Sequence, residues 1–245
     1  MTYDAELYAR LHRGTEGDVD FYRRHATGTV LEIGAGFGRV THAVADVAEV
    51  VRIVGLDIDP SLLALAPAHA KVTYRPGDAR TFNLDGPFDR IFAPHGVLWC
   101  LLDDRDVSAC FEAVARHLAP DGLFVFDVWA ADELHAEGDP EDVDPEHLDH
   151  VATLDGEPAL DVLERSTWDK ASQRLDVTYL YVDADEQVVG EGTIHQRYLL
   201  EHQLRAHLDR ARLELVDLFG DFAGTTYDGT HDHLIGVARL RGRAV

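Results

Sequence analysis

Two hydrophobic periods divide the chain. In the first half, short apolar runs at 30–33, 51–56, 72–75, 88–93 and 123–128 alternate with stretches whose apolar residues recur every three to four positions, the signature of strands alternating with helices. The helix over 40–47 presents Val40, Val44, Val47 and Ala48 as its buried face. The next opens on Asp59-Pro60, an N-cap acid followed by a proline in the first turn. A third carries Val107, Phe111, Val114 and Leu118 on one stripe and closes at Pro120-Asp121-Gly122; Asp103, Asp104 and Asp106 cap and charge its start. Such alternation forces a parallel sheet with right-handed crossovers, and ligands then sit at the carboxyl ends of the strands. Asp57, Asp78, His95 and Trp129 fall at those ends.

The period changes after an acidic stretch, 130–149, that contains Pro140 and Pro145. Segments at 151–154, 159–168, 174–182 and 190–199 have strand character, and the short turns between them imply antiparallel pairing. A helix at 201–211 and strands at 213–219 and 234–240 complete the pattern, while 3–25 is helical with interruptions at Gly14 and Gly17. The reading is an α/β chain in four parts: an N-terminal helical cap (1–27), a doubly wound core (28–130), an acidic loop with an antiparallel β insert (131–199), and a last helix with two core strands (200–245). Alternation of Leu175, Val177, Tyr179 and Tyr181 suggests that the 174–182 strand pairs or packs across a two-fold axis, so a homodimer through the insert is expected.

Composition narrows the class. With 46 % hydrophobic and 27 % charged residues the 245-residue chain reads as soluble and globular. No apolar run approaches the ~20 residues of a membrane span. The acidic start lacks the apolar core of a secretory signal, so a cytoplasmic location is expected. A net charge of −23 disfavours nucleic acid and anionic membrane surfaces as partners. Cys100 and Cys110 lie among apolar residues and read as reduced, inert thiols.

The chemistry centres on 30–41. An apolar run carrying Glu32 breaks into Gly34, Gly36 and Gly38 at alternate positions and then into a helix. Glycine allows the tight turn and a close approach of backbone to ligand, and the free N–H groups of the helix start face the same space. The spacing differs from the dinucleotide fingerprint, which needs two residues before its third glycine. Asp57 ends the second strand, where an acid can take both hydroxyls of a ribose. Gly77-Asp78-Ala79 follows the third.

In this order, the glycine loop with its acid, Asp57 and Gly77-Asp78-Ala79 resemble the first three motifs of the class I S-adenosylmethionine (SAM)-dependent methyltransferases, over most of residues 28–130. The resemblance implies a Rossmann-like, mostly parallel seven-stranded sheet with an antiparallel terminal hairpin strand. It implies SAM as cofactor and S-adenosylhomocysteine as product, with Glu32, Gly34, Ala35, Gly36, Gly38, Asp57, Ile58, Asp78, Ala79 and Pro94 around the cofactor. In similar enzymes an N-terminal helix and an inserted β-layer cover the acceptor.

Methyl transfer needs orientation and, where the acceptor carries a proton, a base. His95 after Pro94 is the first candidate and His12 the second; the alternative for His95 is a structural role in its loop. Strand four runs into Ala-Pro-His-Gly, unlike the Pro-Pro-Tyr pattern of enzymes that methylate exocyclic base or glutamine nitrogens. Candidate acceptor-pocket residues are Tyr8, Trp99, Trp129, Arg197 and Tyr227, with Phe222 beside them. His231-x-His233 has strand spacing with no third ligand at diagnostic distance, so no metal is expected. The expected function is methylation of an oxygen or nitrogen of a small metabolite; a protein-methylating enzyme and a non-catalytic SAM-binding regulator are the alternatives.

Overall fold

A computed structural model describes residues 3–156 and 158–242, which form two compact units. One comprises Gly14–Asp132 and the chain from Leu199 onward, the other the N-terminal stretch up to Arg13 with Glu133–Tyr198. The segment read as one helical cap therefore divides: helix α1 (Ala5–Leu11) belongs to the second unit and α2 (Asp18–His25) to the first.

The first unit is built on β1 (Gly28–Ile33), β2 (Val50–Asp57), β3 (Val72–Pro76), β4 (Phe88–Ala93), β5 (Leu118–Trp129), β10 (Leu213–Phe219) and β11 (His233–Leu240). They make one seven-stranded sheet in the order β10-β11-β5-β4-β1-β2-β3. β1 to β5 are parallel, and β11 runs antiparallel between β5 and β10. Helices α3 (Arg39–Ala45), α4 (Pro60–Leu65), α5 (Asp104–His117) and α7 (Glu201–Arg210) lie along the chain between the strands. The central strands are apolar on both faces, as a covered parallel sheet requires: Val30, Leu31, Ile53, Ile91, Phe92, Phe124, Val125 and Phe126 are all buried.

Three sequence expectations need correction here. Helix α3 ends at Ala45, so its buried face is Val40, Thr41, Val44 and Ala45, while Val47 is half-buried and Ala48 exposed. Pro120-Asp121-Gly122 does not separate helix from strand. β5 begins at Leu118, opposite Phe88, and Arg90 next faces Leu123, so the intervening residues bulge out of the strand. The acidic stretch is not plain loop: it holds α6 (Asp132–Glu137) and a 3₁₀ turn at Pro140–Asp142. Asp103 caps α5 by accepting the Asp106 N–H at 2.8 Å, with Asp104 and Asp106 in the first turn, as the sequence suggested.

The second unit is a four-stranded antiparallel sheet, β6 (Asp149–Leu154), β7 (Leu160–Asp169), β8 (Arg174–Val182) and β9 (Val188–Arg197), in that order. Because β8 is hydrogen-bonded to β7 along one edge and β9 along the other, it cannot pair across a two-fold axis. Its apolar face is covered within the chain: Leu7 and Leu11 of α1 pack on Tyr179, Tyr181, Leu160 and Val162. The opposite face is mixed: Thr178 is bonded to Thr193 at 2.9 Å and Asp176 to His195 at 2.9 Å, beside the half-buried Leu180 and Val182. Among the described residues no helix is long and apolar enough to cross a membrane.

Candidate active site

Strand β1 ends in a loop whose three glycines all have positive φ: Gly34 71°, Gly36 53° and Gly38 82°. Two of them are glycine for want of room. A Cβ on Gly34 would stand 2.3 Å from Val97, and one on Gly38 2.3 Å from the Tyr74 hydroxyl. Gly36 differs, since a Cβ there would meet nothing nearer than Leu62 at 4.0 Å. The space over Gly36 is open, a cradle that any side chain would fill.

The loop is tied to the end of β2. Ala35 donates its N–H to the Leu56 carbonyl at 2.9 Å, and Gly36 donates to Asp57 Oδ2 at 2.7 Å. The other Asp57 oxygen accepts the Asp59 N–H at 2.8 Å. Burial pushes this carboxyl above its ordinary value against the pull of those amides. Ile58 beside it is 63 % exposed, an apolar surface at a strand end where a ring can lie. Beneath the loop, Glu32 is buried and accepts the Thr41 hydroxyl at 2.5 Å; burial pushes its carboxyl up to about 8. Glu32 thus joins the strand to the helix that follows the loop. Asp78 is held by Arg80, whose Nε and Nη2 reach its oxygens at 2.9 and 2.5 Å while Nη1 reaches Asp106 at 2.8 Å, and this guanidinium holds Asp78 below the usual carboxylate range. Ala79 follows in the same turn.

At the end of β4, Pro94 is buried and His95 adopts φ 57°. His95 is exposed, yet the protein around its ring pushes the imidazole below its ordinary value, with Arg39 pushing the same way and Asp18 opposing. Trp129, 49 % exposed, stacks on His233 with ring centroids 4.3 Å apart. Tyr227 is half-buried, its phenol raised by burial and then by Asp132, Glu201 and Asp228. Trp99 is a core residue at 4 % exposure, in the 3₁₀ turn Val97–Cys100. His12, Tyr8 and Arg197 belong to the other unit. There Tyr8 lies against His12 at 4.1 Å, His12 meets the edge of Tyr179 at 5.3 Å, and Arg197 is buried at the end of β9. Phe222 packs in the core of the first unit. Among the described residues no group of three potential metal ligands is gathered: His231 pairs with Asp228 and His233 with the Trp129 ring. Cys100 and Cys110 are unbridged, and burial pushes their thiols up to about 11 and about 12.

Four residues at this end of the sheet escaped the sequence reading. Arg39 forms a two-pronged pair with buried Asp18, at 2.9 and 2.5 Å. A cation in the first turn of a helix opposes the helix dipole, and that was a signal that it had a partner. Tyr22 donates its hydroxyl to Asp127 Oδ1 at 2.5 Å, and Asp127 is the acid within the apolar run 123–128 of β5. Burial pushes its carboxyl up to about 6.

A parallel sheet with one antiparallel strand inserted next to its edge, and a glycine cradle facing an acid at the neighbouring strand end, define the class I methyltransferase fold. Residues 30–122 match the model of a family described as methyltransferase domain. The chain thus carries a methyltransferase domain over these residues, and the solved structures it resembles include a methyltransferase bound to SAM. It is 24 % identical over 203 residues to the dTDP-3-amino-3,6-dideoxy-alpha-D-glucopyranose N,N-dimethyltransferase of Streptomyces fradiae, covering 78 % of this chain and 76 % of that one. Among solved structures, the CcbJ methyltransferase of Streptomyces caelestis superposes with a TM-score of 0.76 at 22 % identity, over 92 % of this chain and 89 % of the other. The glycopeptide N-methyltransferase MtfA, solved with SAM, matches at 25 % identity and a TM-score of 0.60, over 94 % and 88 %.

Proposed function

We propose that this chain methylates a nitrogen or oxygen of a small molecule, and that an amino group on a sugar is the acceptor to test first. SAM supplies, when bound, an electrophilic methyl group on a sulfonium. The observation that supports the cofactor position is the open space over Gly36 beside the Asp57 carboxylate, which keeps acceptor capacity for ribose hydroxyls. The Gly36 and Ala35 amides are spent on Asp57 and Leu56, so the loop arrives rigid. An apolar ring can rest on Ile58. Asp78, gripped by Arg80, marks the far side of the same strand ends, where an adenine amino group would share its carboxylate with the guanidinium.

An amine attacks only when unprotonated, and it must shed a proton after transfer. His95, held below the ordinary imidazole value, is unprotonated at neutral pH and can take that proton. The acceptor class draws on the amino sugar named for the Streptomyces fradiae relative. It draws also on charge: a chain at −23 attracts cationic amines and repels polyanions.

The test is release of S-adenosylhomocysteine over a panel of free amino sugars, nucleotide-linked amino sugars, hydroxylated aromatics and small carboxylic acids. Turnover with either amino-sugar arm supports the reading. Turnover confined to the hydroxylated aromatics or the carboxylic acids contradicts the amino-sugar acceptor, and no turnover with any small molecule of the panel contradicts the wider reading.

A further inference from the structure

His95 and Gly96 both stand in the left-handed region, at φ 57° and 67°. A residue with a Cβ stays there only where its surroundings hold it. The hold comes from one residue on the neighbouring strand. Asp127 of β5 accepts the His95 main-chain N–H on Oδ1 at 2.9 Å and the Gly96 N–H on its own carbonyl at 3.2 Å, so it grips two consecutive amides of the turn.

The same Oδ1 accepts the Tyr22 hydroxyl at 2.5 Å. Tyr22 is fully buried on α2, and its ring lies 5.1 Å from that of Phe92 on β4. One carboxylate oxygen of β5 therefore receives two donors, one from α2 and one from the turn after β4. Asp127 is 5 % exposed, and burying a carboxyl in an apolar strand is costly unless its bonds repay it. Packing alone would be served by valine or phenylalanine, the residues around it in the strand.

We infer that Asp127 is a positioning residue: its grip on the His95–Gly96 turn fixes the imidazole at the end of β4, and Tyr22 holds Asp127 in turn. The inference rests on the proposed role of His95 as proton acceptor. The depressed titration of His95, crowded by protein though exposed, and the raised one of buried Asp127, near 6, agree with a turn clamped against a buried carboxyl.

Full-length variants separate the possibilities. Asp127→Ala removes the acceptor, Asp127→Asn keeps an oxygen able to take both hydrogen bonds, and Tyr22→Phe removes the donor behind it. The readouts are the NMR titration of the His95 imidazole, calorimetric SAM affinity, and kcat and KM for S-adenosylhomocysteine release with an acceptor found in the panel. In Asp127→Ala the His95 titration rises toward the ordinary imidazole value as the turn loosens and the ring leaves the protein groups around it, and kcat falls by about 10²-fold with SAM affinity and KM within about threefold. Asp127→Asn stays near wild type on every readout, and Tyr22→Phe moves in the direction of the alanine variant by a smaller amount. If Asp127→Ala fails to fold, Tyr22→Phe carries the test.

An unmoved His95 titration in both Asp127→Ala and Tyr22→Phe overturns the inference. So does Asp127→Asn losing SAM affinity, fold and turnover together, because that marks a purely structural residue. His95→Ala tests the other reading: if turnover survives that change while Asp127→Ala still shifts the imidazole, His95 is no proton acceptor and the positioning role stands. If His95→Ala abolishes turnover and Asp127→Ala shifts nothing, the positioning role alone falls.

Discussion

Glu32 shows what burial does to an acid beneath the glycine loop. It is 2 % exposed, its carboxyl accepts the neutral Thr41 hydroxyl, and burial outweighs that bond and the nearby Arg39 charge. Because its folded value, about 8, lies above that of the unfolded chain, Glu32 stabilises the fold fully at low pH, and that contribution is lost as pH rises through about 8. Asp127 has the same sign but has finished titrating near 6, and the depressed histidines act below the imidazole range. From about pH 6.5 to 8, Glu32 should thus dominate, lowering unfolding free energy by up to about 1.4 kcal/mol per pH unit. Denaturant titrations of SAM-free protein should show this slope, and Glu32→Gln should flatten it; an unchanged slope in the variant would remove the assignment. Legibility at this scale followed local signals. Asp57 and the glycines could be read because a turn announces itself in sequence, whereas the Asp127–Tyr22 and Arg39–Asp18 partnerships span 105 and 21 positions that only folding brings together.

Elements were read more completely than their associations. Every parallel strand lies within a few residues of its sequence position because continuous apolar runs bounded by glycine, proline and acids leave little choice. The β8 alternation was also correct, but what covers its apolar face could not be read: α1, more than 160 residues earlier in the chain, supplies Leu7 and Leu11. That contact removes the physical reason for a second copy at this face. The full chain should therefore show a one-chain mass at micromolar concentration, and deletion of the residues through Leu11 should uncover Tyr179 and Tyr181 and drive self-association. Light scattering on both forms checks this. A two-chain mass for the full protein, unaltered by the deletion, would show that association uses another surface.

For the whole molecule, charge and topology point the same way. The sheet gathers the ends of β1, β2, β3 and β4 on one side, so the glycine cradle, Asp57, Asp78 and His95 fall together from separate stretches of sequence. A net charge of −23 adds a long-range attraction for a cationic cofactor and a cationic acceptor. The central claim is that the open space over Gly36, faced by the Asp57 carboxylate, is where SAM is held. Calorimetric titration of SAM into wild-type protein and Asp57→Ala tests it most directly. Loss of a charge-assisted hydrogen bond should weaken binding by about 1–3 kcal/mol while the thermal unfolding of the SAM-free variant stays cooperative. Equal SAM affinity in the two proteins would contradict the claim.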